Sequence, residues 1–129
     1  MSAFHEIEIR VRYQETDAMG ILHHANYFTY FEIGRTEMLR QGGRDYRSLE
    51  AEGTFMVVVR IACRYHRPAK YDDLLTLRTT LERVSAAKIE HSYQLRRGQE
   101  LIAEGTSTLA CVDSQGKVQR VPDWLHTER

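Results

Sequence analysis

Cysteine and proline are scarce in this 129-residue chain, at two each, and neither sign of charge is in excess. The two cysteines, Cys63 and Cys111, have no CxxC pairing and no companion ligand spacing. That excludes a disulfide framework and a cysteine-based zinc site, and leaves two reduced thiols in strand interiors of a cytoplasmic protein. Lys plus Arg and Asp plus Glu both number 18, a balance that argues against a broad nucleic-acid footprint. No apolar run approaches the length of a bilayer span, and the start, Met1-Ser-Ala-Phe-His-Glu, lacks the basic-then-apolar pattern of a signal peptide. Repeats, linkers and low-complexity segments are missing too. The expectation is one cytoplasmic domain over residues 1–129, without membrane insertion or a nucleic-acid partner.

What is present is patterned. Ile7, Ile9, Val11 and Tyr13 alternate with charged residues, which predicts a strand. Gln14 to Gly20 reads as a loop. From about Ala25 to Arg40 the period changes: Tyr27, Tyr30, Phe31, Gly34 and Met38 form an apolar stripe, widened by Phe28 and Leu39. Thr29, Glu32, Arg35, Glu37 and Arg40 fill much of the opposite face, and Gly42-Gly43 supplies the stop. After a connection over residues 45–53, with room for a helical turn, the pattern returns to strands. These run from Val57 to Tyr65, Leu75 to Leu81, Ile89 to Leu95 and Leu101 to Val112, with turns at Arg97-Gly98-Gln99 and Asp113 to Gly116. One strand, one long helix and four strands make an α+β pattern with an antiparallel sheet. A single helix with unpaired sheet edges beside it makes a dimer the physical expectation.

The chemistry concentrates in Tyr13 to Tyr27, where Tyr13, Glu15, Asp17, Gly20, His23, His24 and Asn26 crowd a strand-to-helix loop. The following helix offers unpaired N–H groups and a positive dipole end, and Gly20 permits close backbone approach to a ligand. A loop carboxylate beside such donors suits acyl transfer. Asp17 serves equally well as a cap for the loop backbone, and residue spacing alone leaves the two readings even. His23-His24 lacks a third ligand at helical spacing and there is no HExxH, so no metal site is expected. G-x-S-x-G, Walker and dinucleotide glycine patterns are absent as well.

Tyr13-Gln-Glu-Thr-Asp17-Ala-Met-Gly20-Ile-Leu-His-His24-Ala-Asn26-Tyr27 resembles the signature of the 4-hydroxybenzoyl-CoA thioesterase family, and within it the YbgC-like acyl-CoA thioesterase branch. Arg35-Thr36-Glu37, Arg67-Pro68-Ala69 and Tyr71-Asp72-Asp73 extend the match over nearly the whole chain. The resemblance implies a hotdog fold, an antiparallel sheet wrapped around one long central helix. It further implies an acyl-CoA substrate, no cofactor beyond the coenzyme A of that substrate, and a homodimer or homotetramer with the active site at the dimer interface. Carried over by position, Asp17 is the catalytic nucleophile or general base, and the His24 N–H faces the thioester oxygen. Tyr13 and the His24 side chain support it, while Gly20 and Asn26 shape the substrate-binding loop and helix start. Arg83 and Lys88 are the remaining candidates for the CoA phosphates, and surface charge is the alternative for both. Met19 stands where relatives often carry a small residue, and either narrows the acyl pocket or fills space. A dehydratase on acyl thioesters and a non-catalytic acyl-CoA-binding or scaffold protein remain alternatives.

Overall fold

The computed structural model describes residues 3–126. Strand β1 (Phe4–Arg10) leads through a 3-10 turn at Tyr13–Glu15 to helix α1 (Asn26–Gln41) and a short α2 (Tyr46–Ala51). Strands β2 (Phe55–Tyr65), β3 (Leu74–Val84), β4 (Lys88–Arg97) and β5 (Glu100–Val112) follow, and α3 (Asp123–His126) closes the described chain. The five strands form one antiparallel sheet in the order β1-β3-β4-β5-β2. The sheet presents alternate residues of β3 and β4 inward, including Leu75, Leu77, Tyr93 and Leu95, and α1 lies across them with Tyr27, Tyr30 and Phe31. This is the α+β order expected from the strand–helix–strands pattern, in the hotdog arrangement that the family resemblance implies.

Three local expectations are corrected. The first strand ends at Arg10, short of Val11 and Tyr13. The Arg12 N–H donates to the Glu15 carboxylate at 2.8 Å, which curls the chain into the 3-10 turn and leaves the Tyr13 side chain 78% exposed. Arg35 belongs to the buried face of α1, although its charge placed it outside. Gly34 beside it has no side chain, so the helix settles close on β3 and carries the neighbouring arginine inward; its stem can be buried like any hydrocarbon. The β2 alternation does not divide a wet face from a dry one, because Val57, Val58, Val59, Ile61 and Tyr65 are all exposed. Strand β2 is an edge, and a register shift between Val58 and Arg60 breaks its alternation. Cys63 and Cys111 lie in β2 and β5 as free thiols.

Two glycines set how closely the layers approach. A Cβ on Gly34 would stand 2.3 Å from Thr79 Oγ1 and 2.7 Å from Leu77 Cδ2. At Gly105 it would meet the Phe31 ring at 2.4 Å and the Ala62 carbonyl at 2.8 Å. Helix propensity alone favours Gly34→Ala by about 1 kcal/mol. Overpacking of this kind costs about 1–3 kcal/mol and here strikes a β3 side chain held on both flanks. Gly34→Ala is therefore expected to lower the urea midpoint despite its better helix propensity; an unchanged or raised midpoint would contradict this account of the α1–β3 contact.

Candidate active site

The loop between β1 and α1 is a small hairpin laid against the 66–73 connection. Thr16 bridges Leu22, the Asp17 N–H donates to the Ile21 carbonyl at 2.8 Å, and Ile21 bridges Lys70. The Leu22 N–H reaches the Ala69 carbonyl at 2.8 Å, and the Gly20 carbonyl accepts from the Tyr71 N–H at 3.1 Å. That supporting connection is itself tied down, because Arg97 donates to Asp73 at 2.7 Å and to Glu100 at 2.6 Å. Gly20 adopts φ +74°, where an L side chain is strained, so its place in the turn explains the residue type.

Asp17 occupies the exposed tip of this hairpin. Its Oδ1 accepts from the Met19 N–H at 2.9 Å and the Ile21 N–H at 3.2 Å, while Oδ2 accepts from no group among the described residues. One oxygen is therefore engaged as a cap of the loop, and the other makes no bond among the described residues. Met19 is 81% exposed and fills no core space.

His24 lies where the loop turns into α1. Its ring stacks on His23 with centroids 4.1 Å apart, and its carbonyl accepts from the Tyr65 hydroxyl at 3.1 Å. Its N–H donates to no group among the described residues, whereas the flanking His23 and Ala25 N–H groups are both used. An unpaired N–H at a helix start is an oxyanion donor in waiting. His24, Ile21, Leu22, Tyr27 and Tyr65 line an open groove of about 300 Å³ bordered by Arg67 and Pro68. The Tyr13 ring packs edge-on against Tyr71 at 5.5 Å.

The residue that holds these parts together is Glu15, which sequence reading placed in the polar crowd without a role. Its carboxylate is buried and accepts from the Arg12 N–H, from the Arg12 guanidinium at 3.0 Å and from the Tyr30 hydroxyl at 2.7 Å. Its carbonyl accepts from the His23 N–H at 2.9 Å and from Asn26 Nδ2 at 2.9 Å. Asn26 thus ties the first residue of α1 to the loop. Burial by itself pushes the Glu15 carboxyl up, but the bonds from Arg12 and Tyr30 outweigh it and leave the group below its ordinary value. Burial, then the bond to Glu15, raises the Tyr30 hydroxyl, so it remains a donor. Tyr65 was also missed; its only signal was the end of the β2 pattern ahead of Pro68.

Arg83 and Lys88 are not brought to Asp17 within one chain. They flank the β3–β4 turn, beside a groove shared with Arg60, and Arg83 Nε lies 3.9 Å from Glu90. The β1–β3 register pairs Arg10 with Leu74, so the Asp17 loop sits at the opposite end of β3 from Arg83. Among the described residues no three His, Cys, Asp or Glu side chains are grouped to hold a metal, and no helix is long and apolar enough to cross a membrane.

The fold is that of hotdog thioesterases, and comparison with known proteins gives the family. The chain belongs to the thioesterase-like superfamily, whose family model matches residues 11–127. It is 38% identical over 114 residues to the acyl-CoA thioesterase YbgC of Haemophilus influenzae, covering 88% of this chain and 83% of that one. Identity to the acyl-CoA thioester hydrolase YbgC of Escherichia coli O6:H1 is 32% over 106 residues, covering 81% and 79%. The DHNA-CoA thioesterase of Staphylococcus aureus superposes with a TM-score of 0.89 at 29% identity, covering 95% of this chain and 86% of that one.

Because the folded Glu15 carboxyl lies below its ordinary value, its stabilisation is complete above the unfolded glutamate pKa of about 4.3 and is lost as pH falls through the lower folded value. Glu15→Gln should cost about 1.5–3 kcal/mol at neutral pH, since the bonds it weakens are charge-assisted and buried. The variant should also flatten the acid limb of the stability profile below pH 5 or so. Equal acid limbs for wild type and variant, by denaturant titration, would refute the assignment.

Proposed function

We propose that this chain hydrolyses acyl-CoA thioesters to a free carboxylate and coenzyme A, with Asp17 as the catalytic carboxylate and the His24 N–H as oxyanion donor. The observation that carries the reading is the division of labour on Asp17, whose Oδ1 fixes the loop while Oδ2 stays open, in the same hairpin that presents the unpaired His24 N–H. The thioester carbonyl lies toward that N–H, and a single such donor supplies roughly 3–4 kcal/mol to the tetrahedral intermediate. Asp17 either attacks the acyl carbon, giving a mixed anhydride that water opens, or takes a proton from water as water attacks. In both routes the carbon–sulfur bond breaks, the CoA thiolate leaves and is protonated, and no further cofactor is required. Tyr13 and the His24 ring stand ready to orient the acyl group or water. The groove walls, Ile21, Leu22, Tyr27 and Tyr65, suit a short or medium aliphatic acyl group first and an aromatic one second.

Asp17→Asn should lower kcat on an acyl-CoA panel by roughly 100-fold or more with the fold intact, and Tyr13→Phe by about fivefold. Thiol release at the wild-type rate from Asp17→Asn would end the assignment. In a single turnover in oxygen-18 water, label in the Asp17 carboxylate marks the covalent route, and its absence counts against that route.

The working unit we propose is a dimer paired through β2. That strand ends the sheet with an unpaired edge and the exposed side chains of Val57, Val58, Val59 and Ile61, a combination that monomers avoid. Two-fold antiparallel pairing sets Tyr65 beside the partner's Phe55. Phe55 is registered with Val112, and Lys88 with Ala110, so the partner's Arg83 and the partner's Lys88 arrive at the end where Asp17 lies. There they can meet CoA phosphates. A dimer of such dimers accommodates the tetramer. Val58→Lys is expected to give a folded monomer by sedimentation and to lose at least about tenfold in kcat/KM; a monomer of full activity would show that the site needs no second chain.

A further inference from the structure

A cavity remote from the proposed reaction lies in the second core cluster, between the C-terminal half of α1, α2 and the inner face of β3, β4 and β5, under Trp124 and Leu125 of α3. From Asn26 to Met38 the helix advances about 18 Å, at 1.5 Å per residue, so the cavity is well separated from the Asp17 loop. Its free volume is about 50 Å³. A single water needs about 10–15 Å³ on such a measure, so there is space for several waters or one short organic ion. Arg44, stacked over the Trp124 ring at 4.5 Å, lies at its rim.

The walls are mostly aliphatic or thioether; inside the rim held by Arg44 and Trp124, the polar exceptions are Arg35, His91 and Tyr46. His91 is 8% exposed, and its Nδ1 has no hydrogen-bond partner among the described residues. Burial, then the charge of Arg35, pushes its imidazole down to about 4, so the ring is neutral at pH 7. Arg35 is 9% exposed and forms no ion pair among the described residues; its guanidinium bonds the Tyr46 side chain and reaches the Tyr93 hydroxyl at 3.5 Å, and Glu32, one turn earlier, shares an outer groove with it without pairing. The Tyr93 hydroxyl is already engaged with Ser107 Oγ at 2.6 Å. A guanidinium carries five N–H donors, and a buried one without a carboxylate is uncommon because its charge has been taken out of water uncompensated. Water in the cavity would satisfy donors but leave that charge in place.

We propose that this cavity is a binding site for a small aliphatic carboxylate, held by Arg35 and by a His91 Nδ1–H, with its hydrocarbon tail against Met38, Met56 and Leu109. The anion supplies the missing counter-charge, gives the orphan ring nitrogen an acceptor, and fills an apolar space that water fills poorly. The inference stands independently of the thioesterase reading, since it uses no residue of the Asp17 loop.

The test is nitrogen-15 NMR of the histidine rings in the wild-type protein, titrated with acetate, butyrate and hexanoate against chloride at fixed ionic strength. A saturable shift of the His91 ring signals by at least one of these acids, without the same shift from chloride, is expected. It should persist in Asp17→Asn and weaken at least tenfold in Arg35→Met, the loss expected for one charge-assisted pair. If none of the acids moves the His91 signals saturably, the cavity holds water alone and the proposal fails. It fails equally if chloride reproduces the shift, or if Asp17→Asn abolishes it. The wild-type titration decides the matter even where Arg35→Met does not fold.

Discussion

The active-site loop depends on one buried carboxylate. Glu15 accepts from Arg12 on one side and from Tyr30 of α1 on the other, and its own carbonyl accepts from His23 and Asn26. Strand end, loop and helix start are thereby fixed to a single residue. An ionised carboxylate is tolerated out of water when its lone pairs are met in this way. The consequence for function is geometric. Asp17 lies two positions after Glu15, and His24 lies one position after His23, so the proposed catalytic carboxylate and the proposed oxyanion donor are both measured from the same anchor. Loop residues that must hold a reacting group within a fraction of an ångström need such an anchor, because the hairpin itself is short and exposed.

How much of this was legible follows from the range over which each feature is determined. The strand–helix–strands order was readable because period two and period 3.6 are properties of neighbouring residues. Two of the misreadings share a cause. Tyr13 kept the alternation of β1 but left the strand, since Arg12 and Glu15 close a turn that period alone does not encode. Arg35 was assigned outward by its charge, while its burial depends on the contact of Gly34 with Leu77 and Thr79, more than forty residues on. In β2 the apolar residues were recognised, but their exposure is a property of strand order, not of composition. Within the site, Asp17 was visible as a choice between cap and catalyst; its Oδ1 makes the capping bonds, and catalysis through Oδ2 is the role proposed for it. Glu15 stood in plain view beside it, yet its value depends on Tyr30, fifteen residues away.

Strand order also explains why a domain of this size would use a second copy. The segment carrying Asp17 adjoins the start of β3, and the basic groove of Arg60, Arg83 and Lys88 adjoins its end. From Leu74 to Arg83 the strand covers about 30 Å, which no side chain bridges. A single sheet therefore separates the carboxylate proposed to act on the acyl carbon from the cations proposed to meet phosphate. In the proposed dimer the two-fold axis reverses one sheet against the other, and the far end of one chain becomes the near end of its partner. The exposed valines of β2 supply the apolar contact for that reversal, and the Tyr65 hydroxyl links the same strand to the His24 carbonyl. Edge pairing and the proposed oxyanion geometry are coupled through one strand: whatever fixes β2 also holds His24, whose N–H is the proposed donor.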